Sequence, residues 1–282
     1  MIKFLHAACF SPCPSTFIKA INNGNFDSWP GLHPQLIKKY LQPSVATLKG
    51  HMKLEKQGLQ STKNNNQTFD VSNDNNPEQE QKSNDYIFKV VSLENVNKAY
   101  GDLTGAFPYT SARGNRYFLV VYCYDANAIL VQLLKNRTAG EIKKGYANII
   151  EILQNAGCKP NTLILDNEIS KTLTNAFERN KIKYQLVPPH NKRRNAAERA
   201  IQTWKDHFLA GLASIDPEFP IAEWDRLVVQ GVLTLNLLRN ARGNPKLSAW
   251  AYLFGPFNYK KTPLAPPGIK IMIHNKTEKR DS

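Results

Sequence analysis

Apolar residues along this chain fall in short runs separated by polar punctuation. Residues 117–124 (YFLVVYCY) and 129–134 (ILVQLL) are apolar, partly β-branched runs joined by Asp125, Ala126 and Asn127, which predicts a hairpin. Residues 86–91 and 96–107 also read as extended. Thr138 precedes Glu141 at capping-box spacing and predicts a helix running to about residue 155. Residues 162–165 (TLIL) predict a short buried strand, Ser170 can cap a helix through 179, and residues 184–187 form a further strand stopped by Pro188 and Pro189. Two helices follow, near 194–213 and 221–240. The order β-β-β-α-β-α-β-α-α predicts an α/β fold, a mixed sheet with helices on its faces.

Between residues 60 and 86 the pattern lapses. Phe69 and Val71 are the only aliphatic or aromatic residues there before Tyr86 closes the stretch, too few to offset the entropy of ordering, so it reads as a disordered linker. It divides the chain into a small N-terminal region (1–59), the linker (60–86), a main α/β part (87–245) and a C-terminal extension (246–282). In the N-terminal region only a helix around 34–41 is legible, and so short a piece is not expected to fold strongly alone.

Composition narrows the partners. Usage is ordinary for a globular protein and excludes a wholly disordered, collagenous or coiled-coil chain. The net charge of +14 is unevenly spread: residues 1–101 carry 11 Lys against 8 acids, and residues 102–282 carry 26 basic residues against 15. That surplus favours a polyanionic partner, most often nucleic acid. Cys9, Cys13, Cys123 and Cys158 are too scattered for a disulfide framework, and Cys123 and Cys158, inside apolar runs, suit small buried thiols in a reducing compartment. No run reaches membrane-spanning length, and His6, Ser11, Pro12 and Pro14 interrupt the N-terminal apolar stretch, so a soluble intracellular protein without a membrane partner is expected.

Three acids stand out on this framework: Asp102 in the first main strand, Asp166 where TLIL ends, and Glu198 in the first turns of the helix after PPHNKRRN. The carboxyl edge of an open α/β sheet is where ligands usually bind. At about 100° per residue, Ala197, Ala200, Ile201, Trp204, Phe208 and Leu212 make one apolar stripe, and Arg194, Glu198, Gln202 and Lys205 a second beside it. Glu198 therefore sits at the rim of the core face. Three carboxylates from two strands and a helix can hold two divalent cations, since Mg²⁺ and Mn²⁺ take oxygen ligands, and such a pair serves phosphoryl transfer. Singly, each acid has an ordinary reading as a strand-end, turn or helix-dipole residue; Asp125 is explained by its turn alone. Lys192, Arg193 and Arg194 form the densest basic cluster and, with Lys205, would neutralise phosphates beside the acids, the alternative being a solvated charge run. Lys260, Lys261, Lys270, Lys276, Lys279 and Arg280 read as solvated, and Trp204 and Trp224 as core. The apolar segment 221–238 reads either as monomer core or as a contact surface.

The stretches GDLTGAFPYTSARGNRYFLVV, LILDNE and PPHNKRRNAAERAIQTWK resemble the catalytic core of a retroviral-type integrase, an RNase H-like fold, and among these the integrases of copia-type LTR retrotransposons; FGPFNYKKTPLAPPGIKIMIH is similar to the segment after the core in such polyproteins. The resemblance spans roughly residues 95–275. It implies an RNase H-like mixed five-stranded sheet flanked by helices, with residues 87–245 as the catalytic core. Asp102, Asp166 and Glu198 would be the D,D,E triad holding Mg²⁺ or Mn²⁺ in a two-metal site. Gln202 and Lys205 would approach the DNA end, and Asn195 and Arg199 would position the helix. The implied activity is DNA 3′-end processing and strand transfer in the nucleus of a eukaryotic host, by a homo-oligomer acting on element ends and target DNA.

The sequence also departs from that family. Thirty-one residues separate Asp166 from Glu198, fewer than usual, and Glu168 stands where the family often has Gly. His6, Cys9, Cys13, His33 and His51 do not form the His-x3-His and Cys-x2-Cys pattern of a zinc module. The chain ends at Ser282 without an evident DNA-binding module, so a catalytically silent DNA-binding relic is the alternative reading; a ribonuclease on the same fold is a third.

Overall fold

The computed structural model describes residues 1–52, 97–165, 175, 177, 183–186 and 196–272. The linker, the strand expected at 86–91 and most of the helix expected at 170–179 lie outside the described residues, although Asn175 and Phe177 are helical. The described residues belong to one compact unit.

Five strands form one mixed sheet: β1 (Lys98–Leu103), β2 (Tyr117–Cys123), β3 (Ala128–Leu134), β4 (Thr162–Leu165) and β5 (Lys183–Leu186), in the order β3-β2-β1-β4-β5. β2 runs antiparallel to β1 and β3, whereas β4 and β5 run parallel to β1 and to each other. The fold class is therefore the one the element order implied. The β2–β3 turn is made at Asp125–Asn127, with Asn127 in the left-handed region at φ 51°.

β2 reads as an unbroken apolar run because both faces of the sheet are covered. Leu119, Val121 and Cys123 point to one face with Ala99, Leu163 and Leu165, beneath α5 (Ala139–Asn155), whose Tyr146, Ile149, Ile150 and Leu153 supply the other half of that core. Phe118, Val120 and Tyr122 point to the opposite face with Tyr100 and Ile164, beneath α6 (Ala196–Leu212), which contributes Ala197, Ala200, Trp204 and Phe208. Gly145 lets α5 settle closely: a Cβ there would stand 2.9 Å from Leu119 Cδ2 and 3.0 Å from Leu134 Cδ2.

The predicted helix at 221–240 is two pieces, a 3-10 segment (Ile221–Leu227) followed by α7 (Val228–Leu237). The Ala222 carbonyl, which an α-helix would pair with residue 226, accepts instead from Ala112 N at 2.8 Å. In the same segment Asp225 is buried and takes a two-pronged contact from Arg113, at 2.6 and 2.9 Å, and a hydrogen bond from Asn115 at 2.7 Å. α7 is core, not a free surface, although Val229 on its outer side is exposed. Its Asn236 is fully buried; the side-chain oxygen accepts from Ile129 N at 2.9 Å and the amide nitrogen donates to Ile129 O at 2.8 Å. At Ile129 the outer edge of β3 is thereby satisfied by one side chain.

Where the sequence marked one helix in the N-terminal region, the structure has four: α1 (Ile2–Ala8), α2 (Pro14–Asn22), α3 (Pro34–Tyr40) and α4 (Val45–His51). Seven to nine residues are too few to establish a helical period, which is why the pattern did not announce them. They are held by tertiary contacts. Phe17, Phe26, Trp29 and Ile37 pack with Leu233, Leu237 and Leu238 at the end of α7. Gly50 of α4 sits so close to α6 that a Cβ would lie 2.4 Å from Ala210 Cβ. Phe10 is fully buried, stacked on His207 with ring centroids 5.3 Å apart. The final short helix, α8 (Ala249–Phe254), is capped by Ser248, whose side chain accepts from Ala251 N.

Two tests follow from these buried polar ties. Asn236→Ala strands the Ile129 N–H and C=O in an apolar setting and should cost about 2–4 kcal/mol of unfolding free energy, read from urea midpoints at constant slope. Arg113 and Asn115 hold the Asp225 carboxyl down to about 2, against the burial that opposes them. A depressed carboxyl contributes stability above its unfolded value near 4 and loses it as pH falls toward 2. Asp225→Asn should therefore flatten the acid limb of the stability–pH curve between about pH 4 and 2.

Candidate active site

Alternation along β1 decides what surrounds Asp102. Ala99 and Gly101 face α5, so Tyr100 and Asp102 face α6. Tyr100 is covered by the apolar stripe of α6, and Asp102, two residues toward the carboxyl end of the strand, lies half-exposed near the first turns of that helix. Gly101 is set by close approach: a Cβ there would meet the Tyr146 ring and hydroxyl at 2.6 Å. Burial, with the negative charge of Asp102 nearby, pushes the Tyr146 hydroxyl far above its usual range.

α6 presents its two stripes as the periodicity implied. Ala197, Ala200, Trp204 and Phe208 are buried, and Glu198, Arg199, Gln202 and Lys205 are exposed. Glu198, Gln202 and Lys205 recur at the fourth and seventh positions, so they stand one above another. Together with Asp102, Leu103, Thr104, Gly105, Arg199 and Ile201 they line an open cleft of about 480 Å³. Two of the three predicted acids, and both predicted DNA-facing helix residues, thus share one cleft. Asp166, Lys192, Arg193, Arg194 and Asn195 lie outside the described residues; Leu165, which precedes Asp166 in the chain, ends β4 opposite Gly101.

Polar contacts shape the cleft wall. Asp102 Oδ1 accepts from Leu103 N at 2.7 Å. Thr104 continues the ladder past the end of β1: its N–H donates to Phe118 O at 2.9 Å and its hydroxyl accepts from Phe118 N at 3.1 Å. Arg137 donates to Thr104 O at 3.1 Å, with its guanidinium 5.5 Å from the Tyr117 ring centroid. Gln202 donates to Asp206 one turn on, which directs its amide along the helix. Glu198 makes no hydrogen bond or ion pair among the described residues.

The donor set is two carboxylates in an open cleft, which suits a hard divalent cation; among the described residues no imidazole or thiolate lines it. No group of three His, Cys, Asp or Glu side chains converges among the described residues. His6 bonds Pro12 O at 2.8 Å, Cys9 is buried and Trp204 and Trp224 are core. Asp125 serves its turn, accepting from Asn97 N at 2.8 Å through its side chain and from Arg242 N and Gly243 N through its carbonyl. Lys260 and Lys261 are exposed, and Lys270 pairs with Glu218. No described helix is long and apolar enough to cross a membrane.

Thr104, Gly105 and Ile201 were not legible as cleft residues, and neither was Arg137 beside it. Thr104 and Gly105 follow a strand whose end the pattern placed at residue 107, and Arg137 comes from the connection between β3 and α5. Only the antiparallel register of β1, β2 and β3 brings them together.

No family model matches the sequence, and no curated protein matches it. Among solved structures the chain is similar in path to the catalytic core domain of BIV integrase, at 15% identity and a TM-score of 0.41, covering 56% of this chain and 93% of that one. The HTLV-2 integrase catalytic core domain in complex with magnesium gives 20% identity and a TM-score of 0.42, covering 57% and 97%. A simian T-cell lymphotropic virus intasome in complex with PP2A regulatory subunit B56 gamma gives 18% and 0.46, covering 64% and 60%. The candidate site stands on its own geometry.

Proposed function

We propose that this protein is a retrotransposon-type integrase, a metal-dependent polynucleotidyl transferase that trims DNA 3′ ends and joins them to target DNA. The observation that carries this reading is the meeting of Asp102 from β1 with Glu198 from α6 in one cleft, beside Gln202, Lys205 and Arg199. Asp166 completes the proposed D,D,E set. Bound Mg²⁺ or Mn²⁺ supplies activation of the attacking oxygen and stabilisation of the leaving oxygen. The protein's own part is positioning. Asp102 and Glu198 offer oxygen ligands from two rigid elements, Lys205 and Arg199 neutralise phosphates along the exposed face of α6, and Gln202 donates from its tethered amide. Lys192, Arg193 and Arg194, which precede the helix in sequence, add positive charge for phosphates. Water is the nucleophile in end trimming, and the freed 3′ hydroxyl is the nucleophile in joining, so no covalent protein–DNA bond is needed.

The same reading takes residues 87–245 as the catalytic core, element ends and target DNA as partners, the nucleus as the place of action and a homo-oligomer as the working form. Joining two ends to one target calls for two clefts.

The test is nicking and strand transfer of a labelled duplex by the purified full chain in Mn²⁺, Mg²⁺ or EDTA. Metal-dependent products that fall to the EDTA level in Asp102→Asn and Glu198→Gln are expected. Full activity in either variant overturns the assignment, and salt-sensitive binding without chemistry selects the silent DNA-binding alternative. Lys205→Ala should weaken binding across sequences and reduce the slope of log affinity against log salt by about 0.9, measured by fluorescence anisotropy.

A further inference from the structure

Cys123 and Cys158 are 35 positions apart, yet their Sγ atoms lie 3.1 Å from each other. Two local features bring them together. Cys123 is the last residue of β2 and is buried opposite Ala99. Cys158 follows the end of α5, where Gly157 turns the chain at φ 73° and Cys158 N returns to Leu153 O at 2.9 Å, the glycine-terminated helix end that points the next side chain back toward the core. Cys123 is buried, whereas Cys158 is only partly buried, so Cys158 is the more accessible residue of the pair. Both are free thiols, and Asp125 and Tyr252 are the other ionisable groups near them.

We propose that Cys123 and Cys158 form a redox modification site that closes to a disulfide on exposure to a small-molecule disulfide of the glutathione type. Cys158 is the attacking residue. The hydrogen bond between the two sulfurs lowers the Cys158 thiol from its ordinary value, while the same contact and burial push Cys123 upward. The Cys158 thiolate attacks one sulfur of the reagent, forming a mixed disulfide and releasing one thiolate. Cys123 then gives up its proton and attacks Cys158 Sγ, releasing the second. The protein dithiol is oxidised, the reagent is reduced to two thiols, and the two protein protons end on them.

The bond would tie the end of β2 to the connection between α5 and β4. That end of the sheet is away from the cleft, since Asp102 pairs with Val120 and Cys123 pairs with Ala99. The site therefore stands independently of the proposed function.

The full-length protein, reduced and then exposed to excess glutathione disulfide, should show a Cys123–Cys158 peptide by mass mapping, reversed by dithiothreitol. Its melting temperature should rise by roughly 5–10 °C, because the cross-link closes a loop of about 35 residues. Cys123→Ser should stop at a mixed disulfide on Cys158, and Cys158→Ser should leave Cys123 unmodified. Absence of the Cys123–Cys158 peptide from oxidised wild-type protein overturns the proposal, as does modification of Cys123 in Cys158→Ser; the wild-type mapping decides even if a serine variant fails to fold.

Discussion

The packing of one helix on one face of the sheet determines everything that can happen in the cleft. Trp204 and Phe208 of α6 stack on each other with centroids 4.9 Å apart and meet Phe118 of β2 edge-on at 5.7 and 5.6 Å. Phe107 and Trp224 close the same cluster. These buried rings hold α6 at a single rotation and height. Because a helix is rigid over its length, that fixes Glu198, Gln202 and Lys205 relative to Asp102 without any bond between the charged groups. The relative placement of the cleft residues is thus set by an apolar anchor further along the same helix.

Tight backbone approach does the same for the opposite face. Gly101 and Gly145 let α5 lie directly on β1 and β2, so Tyr146 reaches beneath the strand that carries Asp102. Asp102 is thus mounted on a strand compressed between two helices and flanked by paired neighbours on both edges. Side chains extend the backbone pairing: Asn236 pairs with Ile129 on the outer edge of β3, and Thr104 carries the β1–β2 pairing into the cleft wall.

The N-terminal helices owe their order to surfaces they do not own. Phe10 and Ser11 are consecutive non-glycine residues with φ of 63° and 48°, a conformation that costs energy and persists only where surroundings enforce it. Phe10 fills the space left by Gly211 and Gly231 between α6 and α7, and Thr47 Oγ1 donates to Ser11 O at 2.8 Å. The four helices thereby share a core with the end of α7, a contribution no local pattern reveals.

The residues themselves determined the period-2 and period-3.6 patterns, and with them the strands at 117–123, 128–134 and 162–165, the helix at 139–155 and the two stripes of α6. Each of those elements depends only on neighbours a few positions away, and so Glu198, Gln202 and Lys205 could be placed on one face from spacing alone. Which strand lies beside which, the split of 221–240 into two helical pieces, the four short N-terminal helices and the meeting of Cys123 with Cys158 were decided by tertiary structure. They rest on contacts between distant residues, such as Ala112 with Ala222, Phe10 with Gly211 and Asn236 with Ile129, and no periodicity along a single chain encodes a partner a hundred or more positions away.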